Sequence, residues 1–285
     1  MTMKALNLSR RRMLFTGLLM LPGMGFLLLV FVLPLLWFFG QLFAAEEGAA
    51  EVLRRFLASS AYRQILFNTF IVAINVTVAC AVIAYPLAAL LARVRGTAFL
   101  LLLYCVLFPL WISVLVRTFS WMMLLERNGP VNRFLLDLRL IESPVQLLFS
   151  NLGVHIGMIH VLIPYAVLPI FAALRQIDPK LLQASDGLGA SPLQTFRRIY
   201  LPLSMPGVFG GAALVFLLAL GFYITPALLG GVRAVTISML IASLVSERLD
   251  WPTAAAASLV LATAVAVFLA AASRFLSFGQ EVAAK

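Results

Sequence analysis

Residues 183–207 read QASDGLGASPLQTFRRIYLPLSMPG, a polar and basic stretch punctuated by glycine and proline. It interrupts a chain of 285 residues in which 63% are hydrophobic and only 11% are charged. Soluble domains carry about 25% charged residues. A chain this poor in charge cannot cover its own surface in water, so composition alone implies a membrane protein. A capped, polar piece of structure in the middle of such a chain has to face water or a partner.

The local grammar of the stretch is readable. Just upstream, Asp178-Pro179 has the form of an N-cap followed by proline at the first helical position. A short helix is expected through Lys180 to Ser185. Gly187 and Gly189 then supply freedom for a sharp turn. Ser191-Pro192-Leu193-Gln194 is a capping box, with Ser at the cap and Gln three residues on. It opens a second short helix through Tyr200, whose Arg197 and Arg198 suit the negative end of a helix dipole. Pro202 is expected to stop that helix, and Pro206-Gly207 to begin the next apolar segment. Leu193, Phe196, Ile199 and Tyr200 share a face at helical spacing. That face either packs on the protein's own spans or docks a partner.

Outward from this stretch, six apolar runs are each long enough to cross a bilayer at about 20 residues per span: 13–39, 66–92, 98–125, 151–174, 206–230 and 253–273. They do not alternate as barrel strands would, so the fold class is all-α and polytopic, one transmembrane domain over 1–285. The first run follows Arg10-Arg11-Arg12, which resembles a signal-peptide n-region, but it is too long for an h-region and lacks a small-residue cleavage site; it reads as a retained helix. With the N-terminus cytoplasmic, inside segments hold 12 basic residues and outside loops 8. Both termini are therefore expected inside, with 1–12 a cytoplasmic tail and 175–205 a cytoplasmic loop.

Other function classes are poorly served. The bases that give a net charge of +10 are scattered over loops, unlike the stripe of a nucleic-acid binder. Cys80 and Cys105 fall within spans and read as packing residues. His155 and His160 are five apart, which does not suit a shared metal, and read as hydrogen-bonded packing residues. There is no Ser/His/Asp arrangement. Lys4, Lys180 and Lys285 are not followed by Ser or Thr, so the chain has no phosphate-binding P-loop. The 11 acids lie in loops, tails or the polar stretch, which weighs against ion coupling through intramembrane carboxylates.

The stretch resembles the EAA loop of ABC importer permeases, the membrane subunits that serve a periplasmic binding protein. Gln183-Ala184-Ser185, Gly189-Ala190 and Ile199-Tyr200-Leu201-Pro202 occupy its pattern, although Gln183 stands where Glu is usual and offers no salt bridge. YPLAALLAR (85–93), PLWISVLVRTFSWMMLLERNGPVNRFL (109–135), GFYITPALLGG (221–231) and DWPTAAAASLVL (250–261) extend the resemblance to the spermidine/putrescine permease subfamily, PotB type. The resemblance implies the type I importer permease fold and a location in the bacterial inner membrane. It implies ATPase coupling through Gln183, Ala184, Ser185, Gly189, Ala190, Phe196, Arg197 and Pro202. It also implies a pair of ATPase subunits carrying ATP and Mg2+, with no cofactor on this chain. The other expected partners are a second permease of PotC type and a periplasmic binding protein docking on loops 126–150 and 231–250.

A polyamine or related amine is the expected solute, and a carboxylate-bearing amino compound the alternative. Arg117 is the one charge placed deep in a span. It either lines the solute pathway or is structural, reaching the surface or a carbonyl. Trp121, Tyr85 and Tyr223 are further pathway candidates, since aromatic faces attract cations; the other reading of each is helix packing or an interface belt. Pro86, Pro109, Pro164 and Pro169 are candidate kinks.

Overall fold

The computed structural model describes residues 20–231 and 234–283, with side chains described as far as residue 270. The tail expected at 1–12, the start of the 13–39 span and Arg233 lie outside the described residues, as do Lys285 and the side chains of Arg274 and Glu281.

Every regular element among the described residues is helical, as expected where lipid offers the backbone no hydrogen-bond partners. In chain order they are α1 (Met20–Phe43), α2 (Ala49–Ala58), α3 (Ser60–Arg93), α4 (Gly96–Trp111), α5 (Val114–Leu125), α6 (Pro130–Asp137), α7 (Asn151–Arg175), α8 (Pro179–Gly187), α9 (Pro192–Leu220), α10 (Ile224–Leu229), α11 (Ile237–Ser246) and α12 (Trp251–Ala283). Five of these are long and apolar enough to cross a membrane: α1, α3, α7, α9 and the 251–270 part of α12. Helices α3 and α7 run on through Pro86, Pro164 and Pro169 without a break.

Two expected spans differ. The 98–125 run is not one helix: α4 ends at Trp111, Ile112 and Ser113 are extended, and the chain bends by 98° into the 114–137 segment. Pro109 sits in the last turn of α4, where its missing N–H weakens the helix end. The 206–230 run does not coincide with one helix either. Pro202 does not stop the second polar helix, which continues to Leu220. A π turn at Phe196–Tyr200 makes this possible, with the Leu201 N–H donating to the Phe196 carbonyl five residues back. The wider turn shifts the hydrogen-bond register just ahead of a proline that could not have donated in an α turn. Arg197 and Arg198 therefore sit mid-helix, and the dipole reading of them does not hold. Beyond Leu220, TPALLGG belongs to the separate short helix α10.

The chain divides into two compact units. The first comprises residues up to Ser59 and from Ile241 onward. In it Leu42, Val52, Ala255 and Ala256 form a buried cluster where α1 and α2 meet α12, and Trp37 meets Trp251 edge-to-face at 5.4 Å. The amphipathic α2 carries exposed pairs, Arg54 to Glu51 and Arg55 to Glu47. The Arg54 hydrogen bond holds the Glu51 carboxyl below its ordinary pKa.

The second unit, Ser60–Leu240, is built on α3, α7 and α9 packed against one another. Small residues permit the close approach. A Cβ on Gly207 would lie 2.5 Å from the Ala173 Cβ and 2.6 Å from the Pro169 carbonyl oxygen, and one on Gly211 3.0 Å from the Ala166 carbonyl. Cys80 is buried on α3 as expected, whereas Cys105 on α4 is exposed.

Candidate functional site

The polar segment forms as a chain of local caps. Asp178 accepts from the Lys180 N–H at 2.9 Å and starts α8. Helix α8 ends in a Schellman motif: Ala190 N–H donates to the Ser185 carbonyl and Gly189 N–H to the Asp186 carbonyl. Gly189 takes φ +75° at the left-handed position this motif needs, and a Cβ there would meet nothing within 4 Å. Its requirement is therefore conformational rather than steric. Gly187 is not part of the elbow; it is the last residue of α8. The capping box is complete, with Ser191 N–H donating to Gln194 Oε1 at 2.8 Å and Gln194 N–H to Ser191 Oγ at 3.4 Å. Ser185 and Thr195 hydroxyls share a 2.8 Å hydrogen bond, so α8 is tied to the start of α9.

The π turn is where this segment grips the bundle. The Phe196 ring meets Tyr85 of α3 edge-to-face at 5.9 Å. Ser204 spends its hydroxyl proton on the Leu201 carbonyl, so Tyr85 donates to Ser204 Oγ, at 2.9 Å. Arg93, the last residue of α3, lies over the Tyr200 ring at 5.7 Å, a cation–π contact worth about 0.5–1 kcal/mol where exposed. The shared face divides between packing and exposure. Phe196 and Tyr200 pack on the protein's own helix, while Leu193 is 57% and Leu188 88% exposed. Gln183, Ala184, Ala190 and Arg197 lie along the same segment, with Ser185 buried and Arg197 exposed. Tyr85 therefore belongs with this segment and not with Arg117.

Arg117 lies on α5, one turn past the break, and is 7% exposed. Its Nε and Nη1 have no hydrogen-bond partner among the described residues. Those two nitrogens are buried and meet no carbonyl among the described residues. A central arginine costs about 2.5–3.5 kcal/mol to insert, so its placement is not idle. Trp121, four residues on, meets His160 of α7 edge-to-face at 5.6 Å, and His160 Nδ1 is likewise buried without a partner. His160, expected as a hydrogen-bonded packing residue, has no partner at Nδ1 among the described residues. His155 fits that expectation: Nδ1–H donates to the Asn151 carbonyl at 2.5 Å, leaving Nε2 to accept from Asn75 at 3.5 Å. Thr118 gives its proton to the Val114 carbonyl, so Thr225 of α10 donates to Thr118, at 3.2 Å. Tyr223 precedes α10 and is 47% exposed, and none of the cluster's hydrogen bonds or ring contacts involves it.

No sequence signal assigned the roles of Ser204, Thr195 and the Thr118–Thr225 pair. Ser204, Gly207 and Gly211 do form a small-residue stripe that marks a helix contact. The partners across the helices carry no local signal.

Comparison with known proteins gives the following. The family described as binding-protein-dependent transport system inner membrane component matches residues 84–277. The spermidine/putrescine transport system permease protein PotB of Escherichia coli (strain K12) is 34% identical over 252 residues, covering 86% of this chain and 92% of the relative. PotB of Salmonella typhimurium (strain SL1344) is 33% identical over 262 residues, covering 90% and 91%. A chain of the crystal structure of the bacterial alginate ABC transporter, in complex with alginate pentasaccharide-bound periplasmic protein, superposes with a TM-score of 0.73 at 20% identity, covering 92% of each chain.

Proposed function

The chain belongs to the binding-protein-dependent transport system inner membrane component family, and from that membership we propose that it is the permease subunit of an importer for polyamines such as spermidine and putrescine, forming half of the solute pathway. It is a multi-pass inner-membrane transport component rather than an enzyme, with the type I ABC importer permease fold. The whole chain acts as one permease domain with both termini cytoplasmic. ATP, with Mg2+, is hydrolysed on a separate pair of ATPase subunits. A PotC-type chain supplies the other half of the pathway, and a periplasmic binding protein delivers solute to the 126–150 and 231–250 loops. The relatives' solute is what favours polyamines.

The observation that carries the reading is the capped segment itself. It is polar, internally braced, open to solvent at Leu188 and Leu193, and gripped by α3 at Phe196 and Tyr200. Such a segment suits a lever. The ATPase pushes on the residues from Gln183 to Ala190, the Ser185–Thr195 bond carries the push into α9, and the Phe196–Tyr85 contact carries it into α3. The spans then exchange inward-open and outward-open arrangements.

The test is uptake of labelled putrescine and spermidine in cells with and without the gene, with unlabelled amines and amino acids as competitors. Loss of polyamine uptake on deletion is expected. Unchanged polyamine uptake, with another solute's uptake lost, would defeat the solute assignment.

A further inference from the structure

Arg117 is a full charge buried with unfilled hydrogen-bonding capacity, and among the described residues it is the only charged side chain in that state. A guanidinium does not shed its proton, so it cannot escape by becoming neutral. The helices around it hold no relief, since α5, α7 and α10 contain no Asp or Glu. His160 of α7, packed on Trp121 one turn along α5 from Arg117, carries an orphaned Nδ1 of its own. Trp121 closes the cluster against His160, and the Thr118–Thr225 bond holds α5 to α10 beside it. Two nitrogens of Arg117 on α5 and one of His160 on α7 thus lack partners, beside a broken helix. Broken helices at membrane depth occur where backbone is buried in protein or lines an aqueous path.

The missing partner is an acceptor, and a buried positive charge selects a negative one. An ammonium group is the wrong sign. We propose that Arg117, with His160 and Trp121, binds a small anion. The anion is either the acid group of a transported zwitterion or a resident inorganic ion such as chloride, which would mask the guanidinium as a cationic solute passes. The proposal uses the importer reading only to explain why a solute comes near; its test reads binding, not transport.

The full-length chain with its partner permease, in nanodiscs and without ATP, is titrated at constant ionic strength with chloride, acetate, putrescine and 4-aminobutyrate, with gluconate as balancing anion. The last two solutes are near-isosteres, one ammonium being replaced by a carboxylate. The readout is the tryptophan fluorescence change carried by Trp121, the difference between wild type and Trp121→Phe. A saturable change is expected, weakened roughly tenfold or more in Arg117→Gln, the loss of about one charge-assisted hydrogen bond. Arg117→Lys, which keeps the charge, is expected to retain part of it and serves if the Gln variant does not insert. Saturation by 4-aminobutyrate but not by chloride or acetate identifies a solute's acid group. Saturation by chloride identifies a resident ion. Absence of a saturable change with all three anions in the wild type overturns the proposal, as does anion binding unchanged in Arg117→Gln. Failure of polyamine uptake in cells would bear on the solute alone and leave this result standing.

Discussion

Tyr85 and Ser204, 119 positions apart in the chain, meet through hydroxyls 2.9 Å from each other, and the same tyrosine ring receives Phe196 edge-on. One side chain of α3 thereby holds both the π turn and the start of the apolar part of α9. Tyr85→Phe keeps the ring and removes the bond. It is expected to cost about 0.5–1.5 kcal/mol and to lower the ratio of solute moved to ATP hydrolysed. Tyr85→Ala removes the ring contact as well and is expected to cost more. Thermal unfolding of the purified complex gives the first effect, and uptake measured against hydrolysis in proteoliposomes the second.

Gly189 and Gly187 separate conformational need from sequence position. At φ +75° with open space around it, Gly189→Ala is expected to lose about 1–2 kcal/mol from the segment, with reduced retention of the ATPase on detergent extraction. Gly189→Asn, which visits the left-handed region more readily, should retain more, and Gly189→Val least. Gly187→Ala falls in a helical turn and should be neutral or stabilising by about 0.5–1 kcal/mol. ATPase co-purification ranks all four, and equal retention by the Asn and Val variants would remove the conformational account.

Ser185 and Thr195 offer a measurable brace. Each single alanine variant should weaken the segment by about 0.5–1.5 kcal/mol, and the double variant by less than their sum, because the second substitution removes a bond already lost. A double-mutant cycle on ATPase affinity reads the coupling. Strict additivity would show that the 2.8 Å bond contributes nothing.

At Gly207 α9 lies against α7 with no room for a side chain. Gly207→Val places methyl groups against the Pro169 carbonyl and Ala173, neither of which can swing aside, and is expected to abolish recovery of folded protein. Gly210→Ala, with nothing within 4 Å, is the control and should be recovered at wild-type yield by size-exclusion chromatography.

The Glu51–Arg54 pair is open to solvent, and Glu51→Gln should leave the melting temperature at neutral pH close to wild type. Its sign is nonetheless fixed. The folded carboxyl has a lowered pKa, so its small contribution is present above the unfolded glutamate pKa and is lost as pH falls through the folded one. A melting series from neutral to acid pH, wild type against Glu51→Gln, shows the two curves converging on the acid side.

What was legible in the sequence follows the range of the interactions involved. Asp178 and the Ser191–Gln194 box were readable because each cap closes within three residues. The long apolar helices were readable because lipid leaves the backbone no alternative. Pro202 misled because the π turn ahead of it satisfies the same backbone in a register that residue type does not announce. The break at Ile112–Ser113 lies in an unbroken apolar run, so hydropathy passes over it. Tyr85 was grouped with Arg117 by chemistry, whereas contact with Phe196 and Ser204 assigns it elsewhere. Arg117 was found by its charge, but its lack of partners depends on three helices that meet only in the fold.

The π turn at Phe196–Tyr200 also sets an azimuth. One residue added to a helical turn advances everything on its N-terminal side by about 100° around the axis and about 1.5 Å along it. Leu193, the capping box and, through Ser185–Thr195, the whole of α8 inherit that rotation relative to the face of α9 that lies on α7. Deleting a single residue within 196–200 would leave every cap, the Gly189 elbow and the brace chemically intact, yet turn them as one body to a different compass bearing. The segment's outward residues would then face a new direction, so under the proposed coupling to an ATPase the phase of this turn, rather than its composition, is the quantity that aims the segment.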